Sequence, residues 1–316
     1  MVRYLKGAEV EQLLSMPKAI ALIEQLFRDL ADGQAVDSPR RRTRMPGKTI
    51  HIMQALAPRM EVAGFKAGYS RGPGLIHLYD YASGRYEAMI ESDWLGRVRT
   101  AATTAVATRL LAREDASVVA CFGLGRHGSF QLEAVNEVRK ISRVQAFGRN
   151  LERVKTFCDS MSRRLGVPVA AAGTAREALS GADIVNLITP SATPLFDGAW
   201  LEEGQHVNAA GSNEFNRREV DLQTIARSDV IVVDSREVAQ TESGDLLPAV
   251  DAGIVQWEHL ASLADLVSGR RAGRTSPQQI TLFESHGMCI EDLYVAKYVL
   301  DAARARNIGV DLPIDV

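Results

Sequence analysis

The feature that most constrains this chain is an apolar run that leads directly into a glycine-rich turn. Residues 117–122 read Ser-Val-Val-Ala-Cys-Phe, and Gly-Leu-Gly-Arg-His-Gly follows at 123–128, ahead of a segment with helical spacing. In a strand–turn–helix unit, Gly123 permits the tight turn, Gly125 lets a dinucleotide pyrophosphate approach the backbone, and Gly128 lets the helix pack closely. The segment therefore predicts a dinucleotide-binding unit. A βα turn that binds nothing is the alternative.

Strand-like and helix-like segments alternate after Gly128, which is typical of an α/β domain with a doubly wound parallel sheet. The strand-like runs are Val144–Phe147, Val167–Ala170, Ile184–Ile188, His206–Ala210 and Val230–Asp234, with helices predicted from Leu151 and Ala175. Ligands of such sheets bind beyond the carboxyl ends of the strands. Two loops, Thr189-Pro190-Ser191 and Gly211-Ser-Asn213, are therefore predicted to face a cofactor, with simple turns as the alternative.

The first 111 residues have a different pattern, which predicts a smaller α+β region with a largely antiparallel sheet. A helix is predicted over 9–30, short strands over 50–53, 62–69, 75–79 and 85–90, and an alanine-rich helix over 93–111. A last amphipathic helix is predicted over 291–306.

Composition sets the protein class. With 46% hydrophobic and 24% charged residues in 316, the chain is typical of globular proteins with an ample core, and its net charge of -2 argues against nucleic acid as a partner. Cys121, Cys158 and Cys289 are scattered and lack metal-ligand spacing, so we expect a reducing compartment and no metal site. No signal-peptide core or bilayer-length apolar run is present, so a cytoplasmic protein without membrane partners is predicted.

The end of the second predicted strand of the dinucleotide unit bears on the choice of cofactor. Residues 146–150 read Ala-Phe-Gly-Arg-Asn, without the acidic residue that usually takes the ribose hydroxyls of NAD. Arg149 instead places a guanidinium where a 2′-phosphate would lie. This predicts NADP(H) as the preferred cofactor and NAD(H) as a second choice; stacking of Arg149 on the adenine, or exposure to solvent, is the alternative. Arg126, His127 and Asn150 belong to the same predicted site.

Cations in the first region form a candidate anion site. The densest basic segment is Ser-Pro-Arg-Arg-Arg-Thr-Arg-Met-Pro at 38–46, which by itself is typical of a solvated loop. Arg42 from this segment, Lys66 and Arg99 could together hold a small carboxylate. Taken singly, each is typical of a surface cation.

These segments, in this order and spacing, resemble the ornithine cyclodeaminase and mu-crystallin family over nearly the whole chain. The matching segments are Arg42-Thr43, Phe65-Lys66, Arg99–Ala102, the glycine loop from Gly123, Ser180–Ile184, Thr189–Ser191, His206–Gly211, Val233–Ser235, and Phe283–Gly287 with Asp292. The resemblance implies a homodimer whose subunit has a substrate-binding and dimerisation domain (1–112 with 293–316) and a Rossmann-type domain (113–292). It also implies that Arg42, Lys66 and Arg99 hold a substrate carboxylate, and that Thr100 and Ser285 lie close to the cofactor.

Two departures from the family pattern narrow the expected reaction. Asn213 stands where the cyclodeaminases carry an aspartate, and His51 lies near the position of the acid that meets the distal amine of ornithine. An amide can form hydrogen bonds but cannot shuttle protons, so the conversion of ornithine to proline loses its expected acid/base. The Arg126-His127 pair is a milder difference in the glycine loop.

The leading hypothesis is an NADPH-dependent reductase of ketimines, either cyclic imino acids or imines of 2-oxo acids. It would work by hydride transfer to the imine carbon and could run in reverse as an amino-acid dehydrogenase. Arg42 and Arg99 would fix the carboxylate, Lys66 would orient it or donate the proton, and Asn213 would contact substrate and cofactor. The alternatives are an NAD-dependent ornithine cyclodeaminase and an NADPH-dependent small-ligand-binding protein of mu-crystallin type.

Four further titratable residues receive structural assignments. Asp292 is expected to cap the last helix, Glu242 and Asp245 are expected to be solvated, and His286 is expected to be structural.

Overall fold

The computed structural model describes residues 1–70 and 72–314. It contains two compact units, the first formed by Met1–Thr100 with Gly287–Val316 and the second by Ala101–His286. This division differs from the domain boundaries expected above, which stay a prediction. Among the described residues, no helix combines the length and apolar character needed to cross a bilayer.

The elements up to residue 111 are β1 (Val2–Leu5), α1 (Gly7–Leu13), α2 (Met16–Ala31), β2 (Val36–Met45), β3 (Lys48–Ala57), β4 (Val62–Tyr69), β5 (Gly74–Asp80), β6 (Tyr86–Glu91) and α3 (Ser92–Leu111). Those from 118 to 284 are β7 (Val118–Phe122), α4 (Gly128–Val138), β8 (Arg143–Phe147), α5 (Leu151–Leu165), β9 (Val169–Ala171), α6 (Ala175–Leu179), β10 (Ile184–Leu187), β11 (His206–Ala209), α7 (Leu222–Arg227), β12 (Val230–Val233), α8 (Arg236–Glu242), α9 (Leu246–Asp251), β13 (Ala261–Ser262), α10 (Leu263–Val267) and β14 (Thr281–Glu284). The chain ends with α11 (Cys289–Arg306) and β15 (Val310–Leu312).

The sheet of the first unit has the order β15-β1-β6-β5-β4-β3-β2. All its pairings are antiparallel except that of β1 with β6, so the expectation of a largely antiparallel sheet is confirmed. Helix α11 packs on β3, β4 and β5 and on α2, within the same unit. Its first eight residues are buried because they form the core beneath this face of the sheet.

Two expectations for this unit are wrong. The single helix expected over 9–30 is two helices, because Leu14 and Ser15 are extended and Pro17 stands in the first turn of α2. Proline lacks an N–H and collides with the preceding turn, so it can begin a helix but not continue one. The basic segment 38–46 is not a loop, because it lies mostly within strand β2, where alternate side chains share a face.

The second unit is a parallel sheet of order β13-β12-β14-β11-β10-β7-β8-β9. The strand order reverses at β7, which has β8 on one side and β10 on the other. Side chains of β7 alternate between two cores: Val119 and Cys121 pack with one, and Ala120 and Phe122 with the other. The doubly wound sheet expected from the sequence is therefore confirmed, and its switch point lies between β7 and β10.

Candidate active site

The cation cluster of the first unit is built on one face of the sheet. Arg42 on β2 lies opposite His51 on β3, and Lys66 on β4 lies opposite Met53, two residues along β3 from His51. Because side chains two residues apart on a strand share a face, Arg42, His51 and Lys66 occupy the same side of the sheet. The pairing register shifts between Ser38 and Arg41, as in a bulge.

Two carboxylates at the start of α11 bind the cations Lys66 and Arg99. The Lys66 Nζ lies 3.0 Å from Oδ1 of Asp292, and the Arg99 Nε lies 3.2 Å from the same oxygen. Arg99 also donates to Glu291. The side chain of Asp292 is fully buried and the N-cap of α11 is Met288, so the expectation that Asp292 caps this helix is wrong. Local sequence patterns do not predict this pairing, because the partners of Asp292 lie 193 and 226 residues away.

These contacts set the protonation of the cluster. Burial lowers the pKa of Lys66, Asp292 opposes that shift, and the net pKa stays below the usual lysine value. Burial would also raise the pKa of Asp292, but Arg99 and Lys66 outweigh it and hold that pKa below its usual value. Burial would lower the pKa of Arg99, but Asp292 and Glu291 hold it above its usual range. The cluster therefore combines a firmly charged guanidinium with an ammonium that gives up its proton more readily than a free lysine.

The structure adds Arg40 and His51 to this cluster. Arg40 donates to the carbonyl of Gly287 at 3.4 Å and lies close enough to lower the pKa of both His51 and Lys66. Burial, followed by Arg40, Lys66 and Arg42, lowers the pKa of His51 to about 4, so its imidazole is neutral at neutral pH. Arg40 was missed because the sequence pattern did not show β2 as a strand, in which residues two apart share a face.

The glycine loop of the second unit has the geometry of a phosphate cradle. Gly123 has a φ of +99°, and a Cβ there would lie 2.4 Å from the carbonyl oxygen of Ile188. A Cβ at Gly128, the first residue of α4, would lie 2.3 Å from the carbonyl oxygen of Gly123. Gly125 faces open space, as a pyrophosphate approaching the backbone requires. The residues present therefore fit a dinucleotide, with Arg126 and His127 exposed in the same loop.

Residues after β8 lie beside this loop. A Cβ at Gly148 would lie 3.3 Å from the side chain of Leu124 in the glycine loop, so the end of β8 packs on it. Arg149 follows and is exposed. The side chain of Asn150 accepts a hydrogen bond from the Arg153 N–H at 3.0 Å and thereby caps α5. Asn150 thus has a local structural role beside its predicted place in the cofactor site.

The other predicted cofactor residues lie at strand ends or on α3. Thr189, Pro190 and Ser191 follow β10, and the Ser191 N–H donates to the Thr189 hydroxyl at 3.3 Å. The Asn213 side-chain oxygen accepts from Arg217 at 3.2 Å. Their roles toward a cofactor stay predictions.

Two further predicted residues are engaged locally. Ser285 is buried after β14 and donates to Asp234 at 3.2 Å. In the first unit, Thr100 on α3 donates to the carbonyl of Gly96 at 2.7 Å. Their proximity to the cofactor also stays a prediction.

The acidic residues of the second unit are not where the sequence placed them. Glu242 and Asp245 were expected to be solvated, but both are about 2% exposed or less. Asp245 accepts the backbone N–H groups of Glu219 and Val220 at 2.7 and 2.9 Å. His286 is also buried, within 3.5 Å of Asp234. For Asp245, a polar sequence pattern gave the wrong expectation because backbone N–H donors, not water, solvate its carboxylate.

Comparison with known proteins supports the resemblance seen in the sequence. A profile of the Ornithine cyclodeaminase/mu-crystallin family matches residues 2–307. The Delta(1)-pyrroline-2-carboxylate reductase of Bacillus cereus is 32% identical over 316 residues, covering 95% of this chain and 96% of that protein.

Two solved structures are similar throughout. The Delta(1)-pyrroline-2-carboxylate reductase of Thermococcus litoralis, in complex with NADH and L-proline, has a TM-score of 0.95 and 31% identity, covering 98% of this chain and 100% of that one. An archaeal alanine dehydrogenase dimer with bound NAD has a TM-score of 0.94 and 30% identity, covering 99% of each chain. The chain belongs to the ornithine cyclodeaminase/mu-crystallin family.

Proposed function

We propose that this protein is an NAD(P)H-dependent reductase of ketimines that carry a carboxylate, either cyclic imino acids or imines of 2-oxo acids. The observation that carries the proposal is the buried Lys66–Asp292–Arg99 network, in which one carboxylate binds two cations and Lys66 shares its face of the sheet with Arg42. The similarity to pyrroline-2-carboxylate reductases from two organisms supports the substrate class.

The reaction divides between the two units. The glycine loop would hold a reduced nicotinamide cofactor, which would supply the hydride for the imine carbon. Arg42 and Arg99 bind the substrate carboxylate and fix the orientation of that carbon. Lys66 delivers a proton to the imine nitrogen from its Nζ, since its lowered pKa favours transfer, and Asp292 holds the ammonium in place. The iminium so formed accepts the hydride, and the product is the amine.

We propose NADP(H) as the preferred cofactor, on the exposed Arg149 that follows β8 beside the glycine loop. A guanidinium binds a 2′-phosphate in two-pronged fashion, and a serine does not. Arg149→Ser should therefore lower the NADPH over NADH preference by roughly tenfold or more. Arg153→Ser, an exposed arginine on the neighbouring helix turn, is the matched control and should leave the ratio unchanged. An unchanged ratio in Arg149→Ser would assign that side chain to solvent.

The experiment that tests the proposed reaction is oxidation of NADPH and NADH, side by side, against cyclic imino acids and against 2-oxo acids with ammonia or methylamine. Turnover of a cyclic imine supports the proposal. Ammonia release from ornithine with NAD would instead favour a cyclodeaminase. Tight cofactor and ligand binding without oxidation of either cofactor would favour a binding protein.

We further propose a homodimer built on the outer face of the first unit's sheet. Ile50, Ile52 and Leu56 on β3 are 42–47% exposed, and Tyr69 on β4 is 52% exposed beside them. A row of exposed apolar side chains of this kind is typical of an interaction surface. The archaeal relative is a dimer. Light scattering that gives twice the chain mass would support this assembly, and the chain mass alone would contradict it.

We propose a cytoplasmic location because the cysteines form no disulfide bonds. Cys121, Cys158 and Cys289 are all free and buried. Free thiols are typical of a reducing compartment.

A further inference from the structure

Two loops of the second unit share one buried carboxylate. They follow the neighbouring parallel strands β10 and β11, and they contain Thr189–Ser191 and Gly211–Asn213. The N–H of Thr189 donates to Oε1 of Glu219 at 2.5 Å, and the N–H of Gly211 donates to Oε2 of the same residue at 2.7 Å. Glu219 is fully buried. Each of its two oxygens therefore holds the first residues of one loop.

The two loops are also in direct backbone contact. A Cβ at Gly211 would lie 2.2 Å from the carbonyl oxygen of Thr189, 2.3 Å from the Thr189 nitrogen and 2.7 Å from Oε1 of Glu219. Backbone atoms cannot yield to a side chain at that distance, so only glycine fits. The Glu219 carboxylate and the lack of a side chain at Gly211 together fix the separation of the two loops.

A second carboxylate fixes Glu219 itself. Oδ1 of Asp245 accepts the N–H groups of Glu219 and Val220, at 2.7 and 2.9 Å. These hydrogen bonds hold the backbone of Glu219 against the N-terminal end of α9, where Asp245 lies. The Glu219 side chain therefore extends to the loops from a fixed backbone position.

The Glu219 carboxyl faces backbone N–H dipoles. Burial raises its pKa to about 8, the hydrogen bonds from Thr189 and Gly211 oppose that rise, and Asp245 adds to it. Glu284 on β14 faces the same group, and Asp234 and His286 lie next to Glu284. An ionised Glu219 accepts from both loops, whereas a protonated one has lost an acceptor, so the junction tightens as Glu219 ionises.

We propose that Glu219 is a positioning residue for hydride transfer, which locks the Thr189 and Gly211 loops together so that they form one wall for the nicotinamide end of the cofactor. This inference rests on the proposed function, because it takes both loops to face the cofactor. The residue acts through the loop backbone and does not touch the reacting atoms.

The test compares three variants by fluorescence titration with NADPH and with NADH, which needs no imine, and then by steady-state turnover. Glu219→Gln keeps the shape but turns one acceptor into a donor that opposes a loop N–H. Above pH 8, where Glu219 is ionised, it should raise the Kd and KM for both cofactors by roughly tenfold, with an unchanged KM for the imine. Gly211→Ala disturbs the same junction from the other side and should give the same pattern.

The matched control is Glu177→Gln. Glu177 also accepts a backbone N–H of the second unit, that of Gly173 at 2.8 Å, but it is exposed and follows a different strand. Its substitution should leave both Kd values unchanged. A loss that is equal for NADPH and NADH also separates Glu219 from Arg149, which should affect NADPH alone.

The pH dependence separates positioning from simple support of the fold. In the wild-type protein the cofactor KM should fall as the pH rises through about 8, and Glu219→Gln should abolish that change. The wild-type profile decides the matter even if Glu219→Gln does not fold. A flat wild-type profile, or Glu219→Gln with wild-type Kd values for both cofactors, would overturn the inference while leaving the proposed reaction intact. A wild-type protein that binds neither cofactor would overturn both.

Discussion

Each unit of this protein buries a group of carboxylates, and the two groups are neutralised in different ways. In the first unit, Asp292 binds Lys66 and Arg99 directly, and its pKa is held below its usual value. In the second unit, the pKa values of Glu219 and Glu284 lie above the usual range. Burial and neighbouring acids raise both, and at Glu219 they outweigh the hydrogen bonds from Thr189 and Gly211. Neither oxygen of Glu284 has a hydrogen-bond partner among the described residues.

The difference shows that burial alone does not decide the charge of a carboxyl group. Cations within 3.0 to 3.2 Å keep Asp292 ionised, so it holds the Lys66 ammonium in place. Backbone N–H groups only partly replace a cation at Glu219, so its ionisation depends on pH near neutrality. The first arrangement suits proton transfer, and the second suits the positioning of a backbone.

The largest effect is expected from breaking the ionised group with Asp292→Asn. This leaves the Lys66 ammonium buried without a carboxylate and should cost about 3 to 5 kcal/mol of stability, because an uncompensated buried charge is expensive. Imine turnover should fall roughly hundredfold, and the pH–rate profile should move to lower pH because Asp292 raises the pKa of Lys66. Denaturant unfolding and the pH profile of kcat/KM measure the two effects. Wild-type kcat/KM in this variant would contradict the assigned role.

The second effect, expected from Glu284→Gln, depends on pH. The folded-state pKa of Glu284 is raised, so its contribution to stability is present below the ordinary carboxyl pKa and is lost as the pH rises. Above that pKa, the advantage of Glu284→Gln should grow by up to about 1.4 kcal/mol per pH unit for one proton. Thermal unfolding at pH 5, 7 and 9 should show similar Tm values at pH 5 and a higher Tm for the variant at pH 9. Parallel curves of Tm against pH for the two proteins would show that Glu284 does not titrate in this range. Glu258→Gln, at an exposed glutamate, is the control and should follow the wild-type curve.

The smallest effect is expected from a partly exposed pair on the helix that carries Asp292. Lys297 lies 2.6 Å from Asp301, whose side chain is 52% exposed. Because water and salt screen such pairs, Asp301→Asn should change stability by less than about 0.5 kcal/mol and leave turnover unchanged. The same measurements as for Asp292→Asn apply. A loss comparable to that of Asp292→Asn would mean that any charge on this helix matters, and the comparison between buried and exposed pairs would fail.

Local sequence patterns predicted the second unit well because its strands are apolar and its turns carry glycine. The strand before Gly123 and the helix starts at Leu151 and Ala175 were found at or within one residue of their observed positions. The resemblance to a family, confirmed by the match over residues 2–307, added the expectation that Lys66 and Arg99 act together. Strand β2 was missed because four of its ten residues are arginines, so its sequence lacks the apolar alternation of a half-buried strand.

Residue type and periodicity were sufficient to predict the doubly wound sheet, the glycine turn and the cations Arg42, Lys66 and Arg99, because these signals act over short stretches of chain. Which carboxylates those cations meet depends on the folded chain, because the partners are far apart in sequence. Asp292 is ionised because two distant cations fold onto it, and Glu219 has a raised pKa because burial and the nearby Asp245 outweigh its hydrogen bonds. The charge of a buried carboxyl depends on partners brought together by folding, and sequence spacing does not record them.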